Sequence, residues 1–245
     1  MPVFKLTLCY DGSRYKGWQR QGKTADTIQE KLETALSRLL TQPVELAASG
    51  RTDAGVHARM QVCSFLAETR QRPEDLLREL RGVLPEDIGA LALEEAPARF
   101  HARLNCREKT YLYRVWNSEA PNVFTRRFQY VFPESLDFAA MERAAGLLCG
   151  EHDFLSFSSL KPGGRSTVRT LKSISICREG DELQLFFTGD GFLYNMVRIL
   201  TGTLLEVGTG RRNAEEMPAL LAARDRAQAG FTAPAKGLTL WEVRY

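Results

Sequence analysis

Ser49-Gly50-Arg51-Thr52-Asp53-Ala54-Gly55-Val56-His57-Ala58 is the stretch around which the rest of the chain falls into order. Gly50 and Gly55 flank a short polar run, and residues 44–49 and 60–67 on either side read as strands. Such a loop reaches backbone angles that other residues avoid and lets a second backbone or a ligand approach closely. It also brings a guanidinium, a carboxylate and an imidazole within eight positions. Two readings follow from residue type alone. In one, the stretch is a tight turn in which Asp53 caps backbone N–H groups and Arg51 pairs with a neighbour. In the other, Asp53 is a reactive carboxylate and the glycines serve its placement.

Upstream, residues 3–10 alternate, with Phe4, Leu6, Leu8 and Tyr10 on one face and Lys5 and Thr7 opposite. That period predicts a half-buried strand. Thr27 and Glu30 have the spacing of a capping box, and Ile28, Leu32, Ala35, Leu36 and Leu39 follow at helical spacing. Downstream, the pattern predicts a short helix near 74–81 and aromatic-rich strands over 109–117 and 127–132. The second half repeats the rhythm. A helix over about 137–149 stops at Gly150, and a Gly/Ser/basic loop runs from 156 to 166. Strands over 171–178 and 182–188 follow, then helices over about 192–206 and 214–224, and a last strand over 238–244. The order lacks the uniform βα spacing and the central Gly-rich turn of a doubly wound nucleotide fold. It predicts α+β architecture, an antiparallel sheet with helices on one side, in two halves that divide near 98–108.

Composition narrows the function. The chain has 245 residues, 44% hydrophobic and 26% charged, as expected of a soluble globular protein and not of a disordered or fibrous one. Its net charge is only +3, but that average hides a distribution. Residues 12–25, 99–127 and 154–178 carry +4, +5 and +5, which leaves the other 177 residues at −11. Gathered together, these segments would form a basic surface suited to a polyanion such as nucleic acid. The five cysteines are widely spaced, with no CxxC pair, so a zinc site is not expected. The odd count and the absence of a secretory signal predict reduced thiols in a cytoplasmic protein. No apolar run is long enough to span a membrane. There is no GxxxxGK[ST], and GTGRRN at 208–213 lacks the third glycine of the dinucleotide fingerprint. No nucleotide cofactor and no metal are expected.

Two further residues stand out. Arg198 interrupts the otherwise uncharged apolar segment from Met196 to Leu205. If partly buried, it needs compensation, and no acid lies three or four positions away. A partner from elsewhere, Asp53 among the candidates, is one reading; an arginine on the polar side of an amphipathic helix is the other. Tyr111 and Tyr113 share one strand face, with Leu112 and Trp116 on the other. Aromatics at this spacing build a core, and beside a basic segment a tyrosine can also stack on an unpaired base.

These residues together resemble the tRNA pseudouridine synthase I (TruA-type) family. The nine-residue run GRTDAGVHA over 50–58 is similar to that family's catalytic loop. Tyr10-Asp11-Gly12 with Tyr15-Lys16-Gly17-Trp18-Gln19-Arg20-Gln21 is similar to its opening strand and loop. Phe100-His101-Ala102-Arg103, Lys109-Thr110-Tyr111-Leu112-Tyr113, His152-Asp153-Phe154, Met196-Val197-Arg198 and Gly237-Leu238-Thr239-Leu240-Trp241 follow in the family's order. Two departures touch no implied role: Ser49 stands where many members have alanine, and the sequence ends directly after the last strand.

The resemblance implies that Asp53 is the catalytic aspartate, that Tyr111 contacts the target base, and that Arg198 pairs with Asp53. Arg51 would help to handle RNA and flip the base. Arg14, Lys16, Arg20, His57, Arg103, Arg107, Lys109, Lys161 and Arg165 are the wider set of expected RNA contacts. The implied partner is tRNA, bound at its anticodon stem-loop by a cytoplasmic homodimer that isomerises uridines 38, 39 and 40. The implied fold has two similar halves, 1–104 and 105–245, that share one largely antiparallel sheet with an RNA-binding cleft. The reaction breaks the N1–C1′ bond, turns the uracil and joins C5 to C1′, with no redox change and no energy input. Three first steps fit the residues: attack at C1′, attack at C6, or abstraction of the 2′ proton. The competing class is a basic RNA-binding or RNA-chaperone protein without catalysis, indifferent to Asp53.

Overall fold

A computed structural model describes residues 1–160 and 166–245. Its elements run in the order β1 (Val3–Tyr10), α1 (Ile28–Leu40), β2 (Ala47–Ala48), β3 (His57–Leu66), α2 (Pro73–Val83), β4 (Ile88–Ala96) and β5 (Glu108–Trp116). Then come β6 (Tyr130–Val131), α3 (Phe138–Leu148), β7 (Gly150–Asp153), β8 (Val168–Glu179), β9 (Glu182–Gly189), α4 (Met196–Gly208), α5 (Met217–Ala223) and β10 (Leu238–Arg244). The class is α+β with largely antiparallel pairing, as the strand and helix periods predict. The chain forms two compact units: Met1–Arg107 with Leu240–Tyr245, and Glu108–Thr239.

In the first unit the strand order is β4-β1-β3-β10, and β2 adds to β3. β1 runs antiparallel to both β3 and β4. Opposite residues share a face, so Phe4, Leu6 and Leu8 lie beside Phe65, Cys63 and Gln61. All six are buried, and Phe4 stacks on Phe65 with ring centroids 5.3 Å apart. Helix α1 starts at Thr27, whose hydroxyl accepts the Glu30 N–H at 3.3 Å, and it buries Ile28, Leu32, Ala35 and Leu36. At the far end Leu40 is buried in place of Leu39. Filling such a position is worth about 2–3 kcal/mol per leucine.

In the second unit the order is β5-β9-β8-β7, with β6 parallel to β5. β5 is buried on both faces: Tyr111, Leu112, Tyr113 and Val115 are all buried. Asp137 caps α3 by accepting the Ala140 N–H at 2.9 Å, and Gly150 ends that region at φ +118°. α4 begins at Met196, four residues later than the apolar pattern predicts. The preceding residue Asn195 takes the left-handed conformation (φ +61°), which breaks the helix there.

Two other departures have clear causes. β4 carries no strand signal, because Ala, Leu and Glu favour helix; pairing with β1 overrides that preference. The predicted strands over 44–49 and 127–132 shrink to two residues each, held by a single neighbouring strand.

Candidate active site

The Gly-flanked loop is built by two segments, 49–58 and the 10–18 segment that closes β1. Every level of the chain contributes to the grip. The Trp18 N–H donates to the Thr52 carbonyl at 2.9 Å, and the Gly55 N–H to the Tyr15 carbonyl at 3.3 Å. Within the loop, the Val56 N–H closes a turn on the Asp53 carbonyl at 3.1 Å, and Gly55 takes φ +77°. The Tyr10 hydroxyl bonds the Thr52 hydroxyl at 2.7 Å, both side chains being buried. Burial holds the Tyr10 phenol well above its usual range, so it stays protonated in that bond. On the strand side, Ser49 Oγ donates to Gln61 Oε1 at 2.6 Å and Gln61 Nε2 to the Gly50 carbonyl at 2.9 Å.

Close approach explains two glycines outside the loop. A Cβ on Gly12 would lie 2.0 Å from the Val56 carbonyl oxygen. A Cβ on Gly17 would lie 2.7 Å from the Thr52 carbonyl oxygen, and Gly17 itself sits at φ +95°. Both positions let the opening segment lie directly against the loop backbone.

His57, only 1% exposed, completes the grip. The Gly12 N–H donates to its Nδ1 at 3.0 Å. Asp11 Oδ1 lies 3.1 Å from the same nitrogen and accepts from Ser13 N and Oγ at 2.9 and 2.6 Å. Within this frame Thr52 is buried, Asp53 is half-buried, and Arg51 is exposed.

Tyr111 and Arg198 belong to the second unit. Tyr111 is buried on β5 opposite Phe187 of β9, with its ring edge-on to Phe192 at 5.0 Å between centroids. Arg198 lies in the first turn of α4 and is half-buried. Its Nη1 donates to Asn195 Oδ1 at 2.8 Å and its Nε to the Ala233 carbonyl at 2.7 Å. Among the described residues of its unit the guanidinium is thus held by two neutral oxygens, which take two of its five N–H groups and bring no negative charge to it. The left-handed Asn195 aims its amide both at Arg198 and at Ser159 Oγ, 3.0 Å away.

The wider basic set divides by partner. Arg14 pairs with Asp87 at 2.9 Å, and Arg20 with Glu33 at 3.0 Å. In the second unit Arg114 pairs with Glu182 and Lys172 with Glu108. Segment charge counted from sequence therefore overstates the free positive charge. Lys16, Arg103 and Arg107 are exposed, and Lys109 is half-buried. Lys161 and Arg165 lie outside the described residues.

Several residues that build the site escape the sequence reading. Asp87 is the clearest: its carboxylate accepts from Tyr15 Oη at 2.5 Å, and Tyr15 in turn supplies the carbonyl that receives Gly55. Burial and that carboxylate hold the Tyr15 phenol above its usual range. No local signal marks Asp87, because its partner lies 72 positions away. Tyr10, Gly12 and Gly17 were signalled, by the YDG and YKGW blocks, without a role.

The profile described as tRNA pseudouridine synthase matches residues 8–105 and 144–245. The chain is 41% identical over 245 residues to tRNA pseudouridine synthase A 2 of Bacillus cereus (strain ZK / E33L). It is 43% identical over 245 residues to tRNA pseudouridine synthase A of Bacillus sp. (strain KSM-64). It is 45% identical over 246 residues to tRNA pseudouridine synthase A of Moorella thermoacetica. Each alignment covers 100% of both chains. The loop, the segment that grips it and the helix that carries Arg198 fall within the residues the profile matches, the strand that carries Tyr111 falls within the full-length alignments alone, and the chain belongs to the tRNA pseudouridine synthase family, isomerases that make pseudouridine in tRNA.

Proposed function

We propose that this chain isomerises uridines 38, 39 and 40 of the tRNA anticodon stem-loop, with Asp53 as the catalytic carboxylate. The observation that carries this reading is the loop's construction. Asp53 is half-buried on a backbone tied at Gly50, Thr52, Gly55 and Val56. A carboxylate held in this way keeps one geometry while a nucleotide is brought to it. Asp53 acts on the sugar or the base to break the N1–C1′ bond. The uracil turns, C5 bonds C1′, the C5 proton passes to solvent and N1, freed of the sugar, takes up a proton in exchange. No electrons are gained or lost.

Tyr111 supplies a ring against the uracil, and Arg198 a charge that keeps Asp53 ionised. The two neutral oxygens on Arg198 support that role, since its charge is left for a carboxylate. Arg51, exposed beside Asp53, contacts the RNA as the target base leaves the stack. Exposed Lys16, Arg103 and Arg107 meet phosphates, and the working form is a cytoplasmic homodimer.

Tritium at uridine C5 of unmodified tRNA tests the reading. The protein should release it without added cofactor or metal, and the sites lost should be 38–40. Asp53→Asn is expected to lower the rate at least about a thousandfold while tRNA binding stays within about threefold. A variant that keeps full rate reassigns the carboxylate.

A further inference from the structure

β3 begins at His57, and its pairing with β1 slips at once. Leu8 pairs with Gln61 and Tyr10 with Ala58, so Arg59 and Met60 together oppose the single residue Cys9. That is a β-bulge six residues beyond Asp53, on the strand that leaves the loop. Bulges re-aim a side chain, and they gather beside active sites. Here the re-aimed side chain is Arg59, which is exposed.

Arg59 is exposed but not loose. Its guanidinium carbon lies 4.3 Å from the centroid of the Trp241 ring, on β10 of the same unit. Trp is the best of the aromatic rings for this contact. Arg59 has no hydrogen bond or ion pair among the described residues. The other ring-stacked arginine, Arg178 over Phe138, also donates to the Gly180 carbonyl at 2.9 Å. Arg14, Arg20 and Arg114 are spent on carboxylates. Arg59 therefore combines a guanidinium seated over an aromatic ring with N–H donors unused among the described residues. Stacking on one face leaves the donor edge of the guanidinium open, and that edge matches two oxygens of a phosphate.

We infer that Arg59, held by Trp241, is a phosphate clamp that grips the tRNA backbone beside the nucleotide delivered to Asp53. The clamp rests on the tRNA reading above and adds a binding residue to it. Arg59 touches no reacting atom, so it acts on binding and not on chemistry. Ring stacking removes rotamer freedom before the RNA arrives, which lowers the cost of ordering the side chain on binding.

The test uses the full chain and an unmodified tRNA transcript, with tritium release and filter binding across a salt series. Arg59→Ala should raise KM and Kd about tenfold, leave kcat within about twofold, and make the log–log salt slope shallower by about one. Arg59→Lys keeps the charge and so the slope, but should still weaken binding by losing the fork. Trp241→Leu should move KM the same way by a smaller factor. Arg70→Ala removes an equal charge at another exposed site of the unit and should change neither constant. An Arg59→Ala protein with wild-type affinity and slope overturns the clamp, as does a loss in kcat at unchanged KM. If only the melting temperature falls, the stack is structural and the clamp is wrong. Wild-type turnover with no effect of Arg59→Ala removes the clamp alone; a wild-type chain that releases no tritium removes the tRNA reading, and the clamp with it.

Discussion

The two units hold their key side chains by opposite means. In the first, Asp53 sits on a loop that is gripped through backbone. Gly12 and Gly17 let a second segment lie against it, and peptide–peptide bonds at Trp18 and Gly55 tie the two segments together. In the second, Arg198 sits on a helix and is held by one side chain, Asn195, and one carbonyl, that of Ala233. A helix supplies its own backbone bonds, so only the side chain needs aiming. A loop has no such internal ladder, so its backbone must be satisfied from outside. The same demand for a fixed functional group thus falls on glycine in one unit and on a left-handed asparagine in the other.

Breaking the first device should cost most. Gly12→Ala places a methyl 2.0 Å from the Val56 carbonyl oxygen, an overlap relieved only by shifting the loop. We expect about 3 kcal/mol of lost stability and a large fall in turnover. Urea unfolding measures it, and a loss under about 1 kcal/mol would mean that the 10–18 segment is free to move off the loop.

Breaking the second device should cost less. Asn195→Ala puts alanine at φ +61° and removes the Arg198 Nη1 acceptor. The expected loss is about 1–2 kcal/mol, with kcat reduced and KM for tRNA nearly unchanged. Equal stability of variant and wild type would show that Arg198 is aimed by Ala233 alone.

The smallest effect is one of pH, in the second unit. Burial alone would raise the Glu182 carboxyl. Hydrogen bonds from Arg114, then from Gln184 and Gln129, outweigh burial and hold it below the usual glutamate range. The unfolded chain then takes up the proton first as pH falls. The stabilisation, about 1 kcal/mol, is complete above the ordinary glutamate value of about 4.3 and is lost as pH drops through the folded one. Urea midpoints measured from neutral to acid pH should show that slope, and Glu182→Gln should flatten it. An unchanged slope in that variant would assign acid sensitivity to other carboxylates.

Much of this was legible in the sequence where signals are local. The period of residues 3–10, the Thr27 cap and the α1 stripe from Ile28 to Leu36 each depend on neighbours within a turn or two, and each appears as expected. The strand β4 was not legible, because its conformation comes from β1 and not from its own residues. The need of Arg198 for a partner was legible, but the neutral acceptors that meet it within its unit were not. One of them, Ala233, is 35 positions distant and offers only a carbonyl, a group every residue has.

The sequence by itself determined the class, the loop that carries Asp53, the positions of Tyr111 and Arg198, and the family to which they point. Tertiary structure alone decided what makes the loop rigid: Tyr10 against Thr52, Gly12 against Val56, and Asp87 behind Tyr15. It also decided which basic residues are spent on internal carboxylates, and that the bulge at Arg59 meets Trp241. The physical reason is range. Periodicity and turn chemistry are written within a few residues, whereas close backbone approach and ion pairing depend on groups that only folding brings together.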